Sequence, residues 1–178
     1  MTLSKYPTEN VTAGPYQPRI DSETVDIFVC GTSNTTQSRL KQGLTTYRYD
    51  YSGNFSSLTP LWWMGAYHAS DVPMVFGTYD RYGGPGSKTF FSNAEENPVT
   101  EFQRTVAEAM QDYVLAFLRD PENGLRRKGW LPYGDPAGAG GGKNMLRFAA
   151  GETLAKNVSA AELDDACVLG LKYNSRPL

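Results

Sequence analysis

"GAYHASDVPMVFG", residues 65–77, holds the only histidine in a chain of 178 residues. His68 sits between a small-residue turn and a short apolar run, and the flanking sequence offers it no obvious partner. An imidazole exchanges a proton near neutral pH, so a lone one in a turn raises the question of catalysis, set against the plainer reading of an ordinary loop residue.

Downstream, residues 81–88 ("RYGGPGSK") read as a loop. Thr100 and Gln103 have capping-box spacing and open a long helix, "TEFQRTVAEAMQDYVLAFLRD". Phe102, Val106, Met110, Tyr113, Val114, Phe117 and Leu118 fall on one face of it at helical spacing. "PENG" (121–124) stops it. A second capping box, Ser159 with Glu162, opens a last helix that carries Cys167.

Upstream, "TTYRYDYS" (45–52) alternates aromatic and charged residues and is the best strand in the chain. Residues 53–60 break it. "SNTTQSRLKQG" (33–43) starts with N-cap residues and ends at Gly43, predicting a short helix. "SETVDIFVC" (22–30) fits either a short helix or a buried strand. Residues 1–20 show no periodicity and read as an irregular lead-in to the segment 21–178. Only one strand stands out, and a lone strand cannot satisfy its own backbone groups. The inventory therefore suggests part of a larger domain.

The formal charge of −2 argues against a nucleic-acid partner, whose footprint on a protein is basic. "LRRK" (125–128) is the longest basic cluster and reads as a solvated turn. No apolar run nears the roughly 20 residues of a membrane helix, and the first residues lack the apolar core of a secretory signal. Four of the nine asparagines, Asn10, Asn34, Asn54 and Asn157, stand in Asn-x-Ser/Thr sequons, which leans toward a secretory chain. Cys30 and Cys167 are the only cysteines, read from the residues alone as either two unrelated buried thiols or a pair.

Several chemistries are excluded. "GDPAGAGGGKNM" (134–145) has Ala137 and Asn144 where a phosphate loop needs glycine and Ser/Thr, and reads as a flexible loop. One histidine and two distant cysteines make no zinc cluster, and no cofactor or metal is expected. The acidic pairs Glu95–Glu96 and Asp164–Asp165 lie at or near helix starts, where the helix dipole favours them, and read as structural. No Gly-x-Ser-x-Gly nucleophile elbow occurs in these residues; "CGTSN" (30–34) and "GPGSK" (84–88) lack the second glycine.

The chain resembles the type-B carboxylesterases and lipases, the cholinesterase-like branch of the α/β-hydrolase fold. "YRYDYSGNFS" (47–56), "GAYHASDVPMVFG", "AMQDYVLAFLRDPENG" (109–124), "GWLPY" (129–133) and the helix around Cys167 carry the resemblance. The histidine segment is the most specific part: the family reads Gly-Ala-x-His-x-x-Glu-(Leu/Ile)-Pro-x-Val-Phe-Gly. The match covers about residues 20–175 and corresponds to the C-terminal portion of a family member.

That resemblance implies an incomplete α/β domain with few strands, a long amphipathic helix and a C-terminal helix. It implies that His68 is the general base of an ester hydrolase, taking a proton from a serine and returning it to the leaving alcohol. Asp71 stands where the family has Glu, one methylene shorter, and is not the triad acid. The family order is serine, acid, histidine, so nucleophile and acid would lie ahead of this segment. Trp62, Trp63 and Met64 could line a pocket in a complete enzyme, and are expected to be packing residues. Cys30 and Cys167 match positions that form a disulfide, implying an oxidising, extracellular setting. Substrate, by resemblance, is a small-molecule or lipid ester. The rival expectations are a non-catalytic binding or adhesion protein, a fragment complementing a separate N-terminal half, and a truncated gene product.

Overall fold

The computed structural model describes residues 17–59, 64–81 and 98–169. The sequon at Asn10, Trp62, Trp63, the Glu95–Glu96 pair and nearly all of the 81–88 loop lie outside the described residues. What is described is a mixed helix/sheet structure with three strands, compatible with part of an α/β fold. No described helix is long and apolar enough to cross a membrane.

The chain divides into two compact units, one of Met1–Arg48, Pro132–Met145 and Val158–Leu178, the other of Tyr49–Leu131 and Leu146–Asn157. In the first, helix α1 (Gln17–Glu23) passes into six residues of π-helix, Thr24–Val29, and then into α2 (Cys30–Lys41). The open choice over "SETVDIFVC" thus falls to helix. The Cys30 amide donates to the Val25 carbonyl, five residues back, which is the wider π pattern. Residues 33–41 are the last nine residues of α2, in a helical run that starts well before the N-cap residues expected to open it. They do not begin one because the preceding backbone is already helical at Val29 and Cys30.

Helix α6 (Ala161–Leu169) begins where the Ser159–Glu162 spacing predicts, with Ser159 Oγ accepting from the Ala161 amide at 3.2 Å. Tyr133, Met145, Val158 and Ala160 form the core of this unit, with Leu163 packed against it. Cys30 and Cys167 are joined in a disulfide, which ties the start of α2 to α6. Arg48 and Asp164, both buried, pair at 2.8 Å. Asp164 is therefore more than a dipole-compensating charge at a helix start.

In the second unit, helix α4 (Glu101–Arg119) follows its sequence closely. Thr100 caps it by accepting from the Gln103 amide at 3.1 Å. The Gln103 side chain, expected to close a capping box, is instead buried. It accepts from the Ser57 hydroxyl at 2.7 Å and points its amide nitrogen at the Met74 sulfur. Val106, Ala107 and Met110 are buried, but Val114, Phe117 and Leu118, placed by periodicity on the same apolar face, are exposed, as is Leu115. Asp120 ends the helix as expected, its carboxylate accepting from the Asn123 amide and from Arg127. These two donors hold its carboxyl below the usual range. The short helix α5 (Gly124–Arg127) buries Leu125 and leaves Arg126, Arg127 and Lys128 in solvent, so "LRRK" is a solvated turn around one anchoring leucine.

The sheet corrects the expectation of a single strand. Its order is β1 (Tyr49–Tyr51), β2 (Asn144–Ala150), β3 (Thr153–Ser159). β1 runs parallel to β2 in the register Tyr49 to Leu146, Asp50 to Arg147 and Tyr51 to Phe148. Two residues, Gly151 and Glu152, join β2 to β3 in a hairpin, with Gly151 at φ 59°, a conformation that suits a tight hairpin turn. The flexible loop expected over 134–145 ends two residues early: Asn144 and Met145 already belong to β2 and are fully buried. Asn144 Nδ2 gathers the loop by donating to the carbonyls of Pro132 and Asp135, at 2.9 and 2.7 Å. β2 escapes sequence reading because it is buried at nearly every position and so shows no two-residue alternation.

Candidate functional site

The sequence around His68 folds into a tight turn leading straight into a short helix. Residues 68–71 form the turn and α3 (Val72–Val75) follows it. Pro73 falls in the first turn of α3, where a missing N–H costs no hydrogen bond. Ser70 donates its amide to the Tyr67 carbonyl and Val72 to that of Ala69, at 3.0 and 3.1 Å. Ala69, between them, sits at φ 67°, in the left-handed region, which costs a non-glycine residue about 1–2 kcal/mol. Such strain persists only where the surroundings over-determine the backbone.

Those surroundings can be named. On the N-terminal side, the Tyr67 hydroxyl donates to the Leu58 carbonyl at 2.9 Å, and Thr59 Oγ1 to the Gly65 carbonyl at 3.4 Å. On the C-terminal side, Asp71 Oδ2 accepts from the Tyr49 hydroxyl at 2.6 Å. Beneath, Met74 is fully buried, and Gln111 of α4 donates to its carbonyl at 3.4 Å. His68 itself is exposed, and Met64, in front of the turn, is half-buried.

Tyr49 is carried by β1, and its ring makes edge contacts with Trp130 and Phe148, which also pack on Tyr113. Burial, helped by the Asp71 carboxylate, raises its phenol above the ordinary value of 10.0. Tyr51 is raised too, first by burial and then by Asp71 and Tyr67; its hydroxyl is buried with no hydrogen-bond partner among the described residues. That hydroxyl lies over Gly53, where an added Cβ would collide with it and force the Tyr51 and Phe55 rings to shift. Asp50 pairs with Arg147 at 2.7 Å across the β1–β2 register. The charged residues of "TTYRYDYS" are therefore engaged rather than solvated, with Arg48 buried in its pair with Asp164.

The remaining sequence-predicted residues are spread out. Cys30 and Cys167 meet in the disulfide. Asn34 is exposed on α2, and Asn54 is exposed in the segment after β1. Asn157 lies in β3, its side-chain amide donating to the Gly129 carbonyl at 2.8 Å. Among the described residues, no group of three or more His, Cys, Asp or Glu could hold a metal ion. The tyrosines that tether the His68 turn were missed by sequence reading. The only signal was the aromatic alternation of β1, which does not say where a hydroxyl ends.

No protein-family model matches the chain. Secreted lipase 5 of Gibberella zeae is 37% identical over 140 residues, covering 78% of this chain and 23% of that protein. Chlorogenic acid esterase of Aspergillus niger is 35% identical over 154 residues, covering 81% of this chain and 28% of that protein. The chain spans about a quarter of the length of these curated relatives. The similarity is thus to a lipase and to an esterase, and a lipase/esterase family is what it supports.

Proposed function

We propose that this chain is the C-terminal segment of a serine-type carboxylic ester hydrolase, of the type-B carboxylesterase/lipase kind, in which His68 is the general base. The similarity to a lipase and an esterase over about four-fifths of the chain carries the reading. The exposed His68, held on a strained turn between two tyrosine tethers, fits it. In acylation the imidazole takes the serine proton as the serine oxygen bonds to the ester carbon. It then gives that proton to the departing alcohol as the ester C–O bond breaks. Water repeats the sequence to release the acid. The nucleophile and the triad acid come from an N-terminal portion of the domain, so the chain alone has weak activity or none.

The apolar residues exposed on α4, Val114, Leu115 and Leu118, support a larger body that covers them. The disulfide, and the word "secreted" in one relative's name, support an extracellular protein. The test joins or co-expresses the chain with an N-terminal esterase portion carrying Gly-x-Ser-x-Gly and follows a short-chain nitrophenyl ester. Activity should appear only in the combination and fall by roughly 10⁴- to 10⁶-fold in His68→Ala. Turnover by the chain alone, lost in His68→Ala, would overturn the incomplete-triad reading. Activity of the combination that survives His68→Ala would overturn the role of His68.

A further inference from the structure

We propose that Tyr49 is a positioning residue for His68, acting through Asp71, so that strand β1 sets the imidazole's place by a phenol–carboxylate hydrogen bond. This rests on the reading of His68 as the base. The turn holding His68 contains a left-handed alanine, Ala69 at φ 67°, and would relax if its ends were free. Each end is tied by a tyrosine hydroxyl. Tyr67 anchors the approach by donating to the Leu58 carbonyl, and Tyr49 anchors the exit by donating to Asp71 at 2.6 Å.

The second tie is the stronger, because its acceptor is a carboxylate and the contact is short. It is also the one with the firmer base: the Tyr49 backbone is paired in the sheet and its ring, though partly exposed, meets Trp130 and Phe148 edge-on. Aspartate gives the tie little slack: a single methylene joins the carboxylate to the turn's backbone. The Asp71 carbonyl in turn accepts the amides of Met74 and Val75, at 3.0 Å each, so α3 is registered from the same residue. The raised phenol of Tyr49 keeps its proton, and therefore its donor, at neutral and mildly alkaline pH.

The single histidine supplies the readout, because the carbon-bound imidazole protons of the full chain give one unambiguous set of NMR signals. Tyr49→Phe keeps the ring and removes the hydroxyl. It should shift and broaden those signals, as should Asp71→Asn, and the double variant should move them no further. Tyr113→Phe removes another phenol from the same aromatic group, one that donates to the Lys128 carbonyl, and should leave them in place. Signals unmoved in Tyr49→Phe, or moved equally by Tyr113→Phe, would overturn the proposal. Should Tyr49→Phe fail to fold, Asp71→Asn with unmoved signals overturns it by itself. The measurement needs no turnover, so an inactive assembled enzyme would defeat the ester-hydrolase reading, while the tie from Tyr49 through Asp71 to the imidazole is judged by these signals alone.

Discussion

Replacing both Cys30 and Cys167 with alanine should cost the folded chain about 5 kcal/mol. The bridge spans 137 residues of sequence, and the chain-entropy argument assigns a closed loop of that size about 5 kcal/mol at 25 °C, the upper end of what a disulfide contributes. Little native-state relief offsets this, because the bridged residues lie on α2 and α6, which the folded chain holds together. The cost equals the whole stability of a marginal domain, about 5 kcal/mol at the low end. The assay is urea unfolding followed by far-ultraviolet circular dichroism, for the native chain and the double variant, each with and without reductant. The native chain without reductant should have the higher midpoint. Reductant should bring it down to the variant and leave the variant unmoved. The denaturant slope should rise in the variant, because the uncrosslinked unfolded chain exposes more surface. Equal midpoints, or a loss below about 1 kcal/mol, would refute the reasoning from loop closure.

The buried pair makes a second prediction: Arg48→Met strands the Asp164 carboxylate and should cost about 3–5 kcal/mol, while Arg48→Met with Asp164→Leu should cost far less. Thermal melts of the native chain and these two variants check this, and a double variant no better than the single one would contradict it. Tyr49 and Tyr51 are raised on folding, so the stability they contribute is complete below the unfolded value of 10.0 and is lost as pH climbs from there toward the folded values. Unfolding free energy should therefore be insensitive to them up to about pH 9 and fall above pH 10, with a shallower fall in Tyr49→Phe and Tyr51→Phe. Expressed in a secretory host, the chain should carry glycan at the exposed Asn54 in preference to Asn157, whose amide nitrogen is committed to the Gly129 carbonyl. Peptide mass mapping reads the ratio, and occupancy at Asn157 equal to that at Asn54 would contradict it.

Some of this molecule was legible in one dimension because its causes are local. Helix α4 starts at Thr100 and stops at Asp120 on the strength of a hydroxyl three residues from an amide and a carboxylate three residues from another. Helix α6 likewise begins beside Ser159. The histidine turn stood out by its residue pattern, and its assignment to catalysis came from family resemblance, not from spacing.

Tertiary structure alone decided the rest. The pairing of β1 with β2 was invisible because a strand is defined by its partner, and β1 lies far from β2 in sequence. Gln103 had capping spacing, yet its side chain went to Ser57, 46 residues away, because a buried amide needs a buried partner more than an exposed helix end needs a second cap. Periodicity placed Phe117 and Leu118 on an apolar face but could not say whether anything covers it. The pairs Arg48–Asp164 and Tyr49–Asp71 lie 116 and 22 residues apart. Charge and hydroxyl positions along a chain do not reveal which of them the fold will bring together, in the core as for Arg48 and Asp164 or at the surface as for Tyr49 and Asp71.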